Sequence, residues 1–312
     1  MSMVTTKDER VSQGSQMSEE RIEGAGGLNI FVRSWRPANA RAVVVIVPGF
    51  KAHSGYYIWV AEQLRASGLA VYALDLRGRG QSDGERFYVE KFAEWVSDVG
   101  TVMALVKSRQ PGLPVFVLGH SAGGVVSCIY TLEHQAELAG FICESFAFQV
   151  PGPEFALTVV KGLGHVAPHT HLLSLKNEDF SRDPKAVQAM DEDPLIAHEV
   201  QPTQTVAEMV RADERLKLEF PQITLPLLIL HGTADKVTKA SGSQLFYERA
   251  SSPDKTIKLY EGHFHDLLND IDKELVMADI KSWIAARLTA TKSVAQVHRG
   301  SEEVRRTDAA PA

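Results

Sequence analysis

Cysteine is scarce. The 312-residue chain has two, Cys128 and Cys143, each inside an apolar stretch. That excludes a disulfide framework and a cysteine-based metal site, and predicts two buried free thiols. Long apolar runs are missing too. None approaches the ~18 residues of a membrane span, and the opening MSMVTTKDERVSQGSQMSEE has no apolar signal-peptide core. The expectation is a cytoplasmic protein, with peripheral contact to a membrane or lipid surface through an apolar patch left open. Basic excess is also missing. The net charge is −6 and no basic stripe carries interleaved aromatics, so nucleic acid is not an expected partner.

What is present is an ordinary balance, 44% apolar and 23% charged residues, enough for a sizeable core. The length fits one large α/β domain or one domain with an insertion. Apolar stretches at 40–50, 69–76, 114–119, 138–146 and 225–232 read as buried strands, and KTIKLYEG (255–262) continues the strand–helix alternation. LNIFVRSW (28–35) alternates and predicts an antiparallel edge strand. Residues 58–68, 92–109, the segment after Ser121, 241–250 and 274–288 read as helices. This alternation predicts an α/β fold, a mostly parallel central sheet flanked by helices. It pauses over about 147–222, where Pro, His, Asp and Glu cluster around helical pieces such as PKAVQAM and TVAEMVRADERLK. The expected organisation is a core over 21–146 and 223–290, a cap insertion over 147–222, and mobile tails over 1–20 and 291–312.

The stretch VFVLGHSAGGVV (115–126) carries the chemistry. A Gly-x-Ser-x-Gly between a buried strand and a helix presents its serine on a sharp turn, where bulky neighbours would clash. Gly119 and Gly123 remove those side chains, and Ser121 is the expected nucleophile. A serine hydroxyl needs a base, and the partners are expected in the order acid, then histidine. Asp235 follows the strand LPLLILHG and is the expected acid. KLYEGHFHDLL supplies His263 and His265. His265 heads the descending segment and is the expected base, while His263 lines the site or faces solvent. An HxH metal site with Asp266 lacks a third strong ligand, and HVAPHTH (His165, His169, His171) reads as a polar cap segment.

Acyl transfer also needs oxyanion donors. The N–H of Ala122 is one, and Phe50, after Pro48-Gly49, is the expected second. His120, Glu144 and His263 are expected near the substrate pocket, with Glu144 also an alternative acid. Asp75 and Arg77 read as a turn ion pair or capping carboxylate, with a pocket role as the alternative. Phe155, Leu157, Val159, Val160 and Leu163 either face an acyl chain or pack a short cap helix.

In combination, VPGFKAHSGYY, ALDLRGRGQSDGER, VLGHSAGG, SRDPKAVQAMDEDPLI, LILHGTADKV and DKTIKLYEGHFH resemble the α/β-hydrolase fold. Within it, they are most similar to monoacylglycerol lipases and bacterial lysophospholipase-like hydrolases, over about 25–288. The resemblance implies a triad of Ser121, Asp235 and His265, oxyanion donors at Phe50 and Ala122, and a helical cap over an apolar acyl tunnel. Two segments depart from it. Pro48-Gly49 stands where many relatives have His-Gly, and Gly78-Arg79-Gly80 where they often have Gly-His-Gly. The expected activity is a serine carboxylester hydrolase acting on monoacylglycerol-like or other short-to-medium acyl esters through an acyl-enzyme. Its expected partner is the small-molecule ester, and its chemistry calls for no cofactor and no metal. Hydrolysis of another acyl bond (polyester, thioester, amide) or a carbon–carbon bond is the second reading. A noncatalytic binding protein on the same scaffold is the third.

Overall fold

A computed structural model describes residues 10–11, 17–149 and 154–289, with side chains for 17–149 and 159–289. The strands, in chain order, are β1 (Arg10–Val11), β2 (Met17–Glu23), β3 (Asn29–Trp35), β4 (Ala42–Val47), β5 (Leu69–Leu74), β6 (Val115–His120), β7 (Gly140–Glu144), β8 (His171–Ser174), β9 (Val200–Pro202), β10 (Leu227–Gly232) and β11 (Lys255–Tyr260). The helices are α1 (Ile58–Ala66), α2 (Phe92–Arg109), α3 (Ala122–His134), α4 (Glu154–Val166), α5 (Pro184–Glu192), α6 (Thr203–Glu219) and α7 (Ala240–Arg249). Residues 273–289 form a last helix, α8.

Nine strands make one sheet in the order β1-β2-β3-β5-β4-β6-β7-β10-β11. From β5 to β11 all neighbours are parallel, and β1, β2 and β3 join antiparallel. Side chains of β4 alternate between two cores, as strand periodicity requires. Val43, Val45 and Val47 pack with Trp95 and Val99 of α2 and Val125 of α3. Val44 and Ile46 pack with Leu64 of α1 and Ile280 of α8. Each fully buried aliphatic side chain of this kind contributes roughly 1.5–3 kcal/mol. Cys128 and Cys143 are buried free thiols.

The amino-terminal boundary needs correction. Residues 17–20, expected as tail, belong to β2, which covers β3, so β3 is antiparallel but is not an edge strand. The reason is that β2 (MSEERIE) buries polar groups on partners far along the chain. Ser18 Oγ lies 2.9 Å from Ser34 Oγ, Glu20 Oε2 accepts from Arg109 at 2.7 Å, and Arg33 donates to Glu19 at 2.8 Å. Such a strand has the composition of a solvated tail. The other expected tail, 291–312, lies outside the described residues.

Between β7 and β10 the chain leaves the sheet. There α4 packs on α6, and β8 pairs with β9 in an antiparallel ribbon, so this segment is not purely helical as expected. Among the described residues, no helix is long and apolar enough to cross a membrane.

Candidate active site

Adjacent parallel strands bring their carboxyl-end loops together, the usual place for a ligand site in such sheets. Ser121 follows β6 directly. Its φ of 55° and ψ of −121° are off the ordinary regions, a conformation that costs about 1–3 kcal/mol and must be held by its surroundings. The surroundings are tight. A Cβ at Gly119 would sit 2.5 Å from Ser127 Oγ, and one at Gly123 would sit 2.1 Å from the Val47 carbonyl oxygen. The Ser121 N–H donates to the Glu144 carbonyl at 2.9 Å, tying the turn to β7.

The structure brings Ser121, His265 and Asp235 into one hydrogen-bonded line. His265 Nε2 lies 2.8 Å from Ser121 Oγ, and His265 Nδ1 lies 2.7 Å from Asp235 Oδ2. Pairing with the carboxylate favours the proton on Nδ1, leaving Nε2 to accept from the hydroxyl. Asp235 is held by the N–H groups of Val237 and Thr238 at 2.7 and 2.9 Å, and by the Thr238 hydroxyl at 2.9 Å. His231 Nε2 is 3.1 Å from the same carboxylate, while its Nδ1 lies 2.7 Å from Ser243 Oγ. Burial opposes the Asp235 charge, but His265 and His231 outweigh it and hold the carboxyl well below its usual range.

Phe50 and Ala122 line the same pocket as Ser121. Gly49 permits the approach, because a Cβ there would lie 2.8 Å from Ser121 Cβ and 3.4 Å from Ala122 N. The loop is fixed from the segment between β7 and β10. Glu199 accepts the Lys51 N–H at 3.0 and 3.1 Å and pairs with the buried Arg79 guanidinium. Arg79 also lies 4.2 Å over the Phe50 ring and donates to Gln201 at 2.7 Å. Gly78-Arg79-Gly80 therefore supports the Phe50 loop through Glu199, a connection absent from the sequence reading. Asp75 and Arg77 are structural. Asp75 accepts from the N–H groups of Ser54 and Gln81, and Arg77 pairs with Asp98 at 2.7 Å.

His120, Glu144 and His263 do not line this pocket, contrary to expectation. His120 and Glu144 face each other in register on β6 and β7, so they share a sheet face. They lie buried behind His265, whose ring centre is 5.0 Å from that of His120. Burial pushes the His120 pKa well down and that of Glu144 well up, Asp266 adding to the latter. Asp235, not Glu144, contacts His265, and Glu144 accepts from Leu268 N–H at 3.2 Å. His263 lies against Asp270 at 3.7 Å. His169 pairs with Glu85 at 2.8 Å in an exposed contact.

The pocket at Ser121 holds about 550 Å³ and is lined both by loops of the sheet and by the segment between β7 and β10. Its apolar wall includes Leu173 and Leu175 at the ribbon and Val206, Met209 and Val210 on α6. Val159 and Leu163 of α4 are instead exposed, and the side chains of Phe155 and Leu157 lie outside the described residues. Phe180, from the cap, packs edge-on against His265 with ring centres 5.1 Å apart. Two further residues escaped the sequence reading. His231 had a local signal, a histidine near the end of LILHG, while Glu199 had none.

Residues 38–272 match the family model described as serine aminopeptidase, S33. The monoacylglycerol lipase of Mycolicibacterium smegmatis is 33% identical over 277 residues, covering 88% of this chain and 99% of that one. The monoglyceride lipase of Homo sapiens is 34% identical over 281 residues, covering 88% and 92%. The crystal structure of Paleococcus ferrophilus monoacylglycerol lipase matches with a TM-score of 0.74 at 29% identity, covering 83% of this chain and 99% of that one. The chain belongs to this S33 family of α/β-hydrolases and is a serine ester hydrolase related to monoacylglycerol lipases.

Proposed function

We propose that the chain cleaves monoacylglycerol-type and other short-to-medium acyl esters through an acyl-enzyme on Ser121. The observation that carries this reading is the relay of 2.8 and 2.7 Å contacts from Ser121 through His265 to Asp235, set at the wall of an apolar pocket. His265 Nε2 takes the hydroxyl proton as Ser121 Oγ attacks the ester carbonyl carbon. The N–H groups of Phe50 and Ala122 stabilise the oxyanion, each worth about 3 kcal/mol in such sites. The imidazolium passes its proton to the leaving alcohol. Water then gives a proton to His265 and attacks the acyl carbon, and Ser121 leaves with the proton. Asp235 keeps the imidazole oriented and favours its charged form.

The lipase relatives favour an ester over the peptide bond that the family description implies. The segment 147–222 acts as a cap over a core of 21–146 and 223–290, extended forward by β2. Val159, Leu163, Val166 and Leu172 give the cap an exposed apolar rim, which suits contact with a lipid surface.

Ser121→Ala is expected to lower hydrolysis of monodecanoylglycerol by about 10⁴-fold or more, with unchanged melting temperature. Undiminished turnover in that variant would reject the mechanism. A para-nitroanilide of the same acyl group should be cleaved far more slowly than the ester.

A further inference from the structure

The wall of the Ser121 pocket contains a polar group that ester cleavage does not use. Val206, Met209, Val210 and Asp213 all line the cavity from α6. Their spacing is i, i+3, i+4, i+7, a single helix face. A carboxyl therefore takes the fourth place in an otherwise apolar stripe. Among the described residues, Asp213 has no hydrogen bond or ion pair, and its Oδ1 is closed off from solvent. Burial, with Glu214 adding to it, pushes the Asp213 carboxyl well above its usual range and favours its neutral form. A neutral carboxyl offers one O–H donor and keeps acceptor capacity.

Its position sets a depth. Asp213 sits on α6 where it packs beside α3, and its carboxyl influences the Cys128 thiol, which follows Ser121 along α3. At 1.5 Å per residue, that separation is roughly 10 Å, the reach of a medium-length acyl chain.

The geometry points to Asp213 as a specificity-determining residue that selects acyl chains bearing a hydroxyl far from the ester carbonyl. This rests on the reading of the pocket as the acyl site. A plain alkyl chain of that length covers the carboxyl and leaves it without a partner, which disfavours binding. A hydroxyl exchanges donor and acceptor roles with it. A site built to hydrogen-bond a substrate hydroxyl rejects the analogue lacking it far more strongly than an apolar wall discriminates by size. The substrate class is esters of medium-chain hydroxyacids.

The test compares para-nitrophenyl esters of octanoic, decanoic and dodecanoic acids with their ω-hydroxy counterparts, in wild type, Asp213→Leu and Asp213→Asn. Wild type should favour the hydroxyacyl ester in kcat/KM at one chain length or more. That ratio should fall about tenfold or more in Asp213→Leu and persist in Asp213→Asn. If Asp213→Leu does not fold, Asp213→Ala makes the same comparison. Competitive inhibition of wild type by ω-hydroxydecanoate against decanoate gives a second readout. Equal ratios in wild type and the apolar variant across the series would overturn the assignment. Ser121→Ala separates the two levels. If it abolishes turnover on both esters while the ratios do not move, only the specificity role fails. If it leaves turnover intact, the hydrolase mechanism fails with it.

Discussion

Replacing Asp235 with asparagine is expected to lower kcat for ester hydrolysis by about 10⁴-fold with little change in fold. The carboxylate accepts from His265 Nδ1 at 2.7 Å. An asparagine in the same place turns its NH₂ toward Nδ1 or loses the contact. An NH₂ facing Nδ1 makes that nitrogen the acceptor and moves the proton to Nε2, which then cannot take the Ser121 proton, and a lost contact leaves the productive tautomer unfavoured. The N–H groups of Val237 and Thr238, which hold Asp235 Oδ1, remain to anchor the turn. The substitution also changes the response to acid. The folded-state pKa of Asp235 is depressed, after the imidazoles of His265 and His231 outweigh its burial. Its contribution to stability is therefore complete above the unfolded value of about 3.9 and is lost as pH falls through the lower folded value. Urea unfolding should show a gap between wild type and Asp235→Asn near neutral pH that closes in acid. A kcat drop under tenfold, or a gap that widens in acid, would count against this role.

Glu199→Gln is the second large effect, through a residue that touches no substrate. Both carboxylate oxygens of Glu199 reach the Lys51 N–H, one residue past Phe50, and its charge balances Arg79. Burial pulls the Arg79 pKa down while Glu199 pulls it back up. Removing one member of a buried pair typically costs about 3–5 kcal/mol, because the other is left uncompensated. The Phe50 loop, with Arg79 over its ring, should relax away from Ser121. The expected result is a lower melting temperature and a kcat reduced by about 10²-fold, with KM changed much less. The double variant Arg79→Met with Glu199→Met should recover much of the stability, since apolar replacement of a buried pair is often neutral. It should not recover kcat. Wild-type kcat in both variants would show that the pair is purely structural.

These residues mark where the sequence was legible. The Gly-x-Ser-x-Gly elbow is local: Gly119, Ser121 and Gly123 carry their own steric reason, and each is where the turn requires it. Asp235 and His265 follow β10 and β11, whose parallel pairing makes their loops converge, so order along the chain was enough. The polar strand β2 was not legible, because its buried Glu20 pairs with Arg109, which lies far along the chain. His120 and Glu144 fall away from the pocket because a place beside Ser121, or at a strand end, says nothing about which sheet face a side chain takes. Arg79 and Glu199 form a pair across core and cap, and no local pattern announces such a pair. Asp213 looks like an ordinary helix-surface acid until the cavity beside α6 is seen.

Covalent labelling tests the nucleophile most directly. The folded protein is treated with a fluorophosphonate at neutral pH, digested and mapped by mass spectrometry. One phosphonyl adduct on Ser121 is expected, absent in Ser121→Ala and strongly slowed in His265→Ala. An adduct at another residue, or a fully folded wild type that stays unlabelled, would contradict the assignment of Ser121.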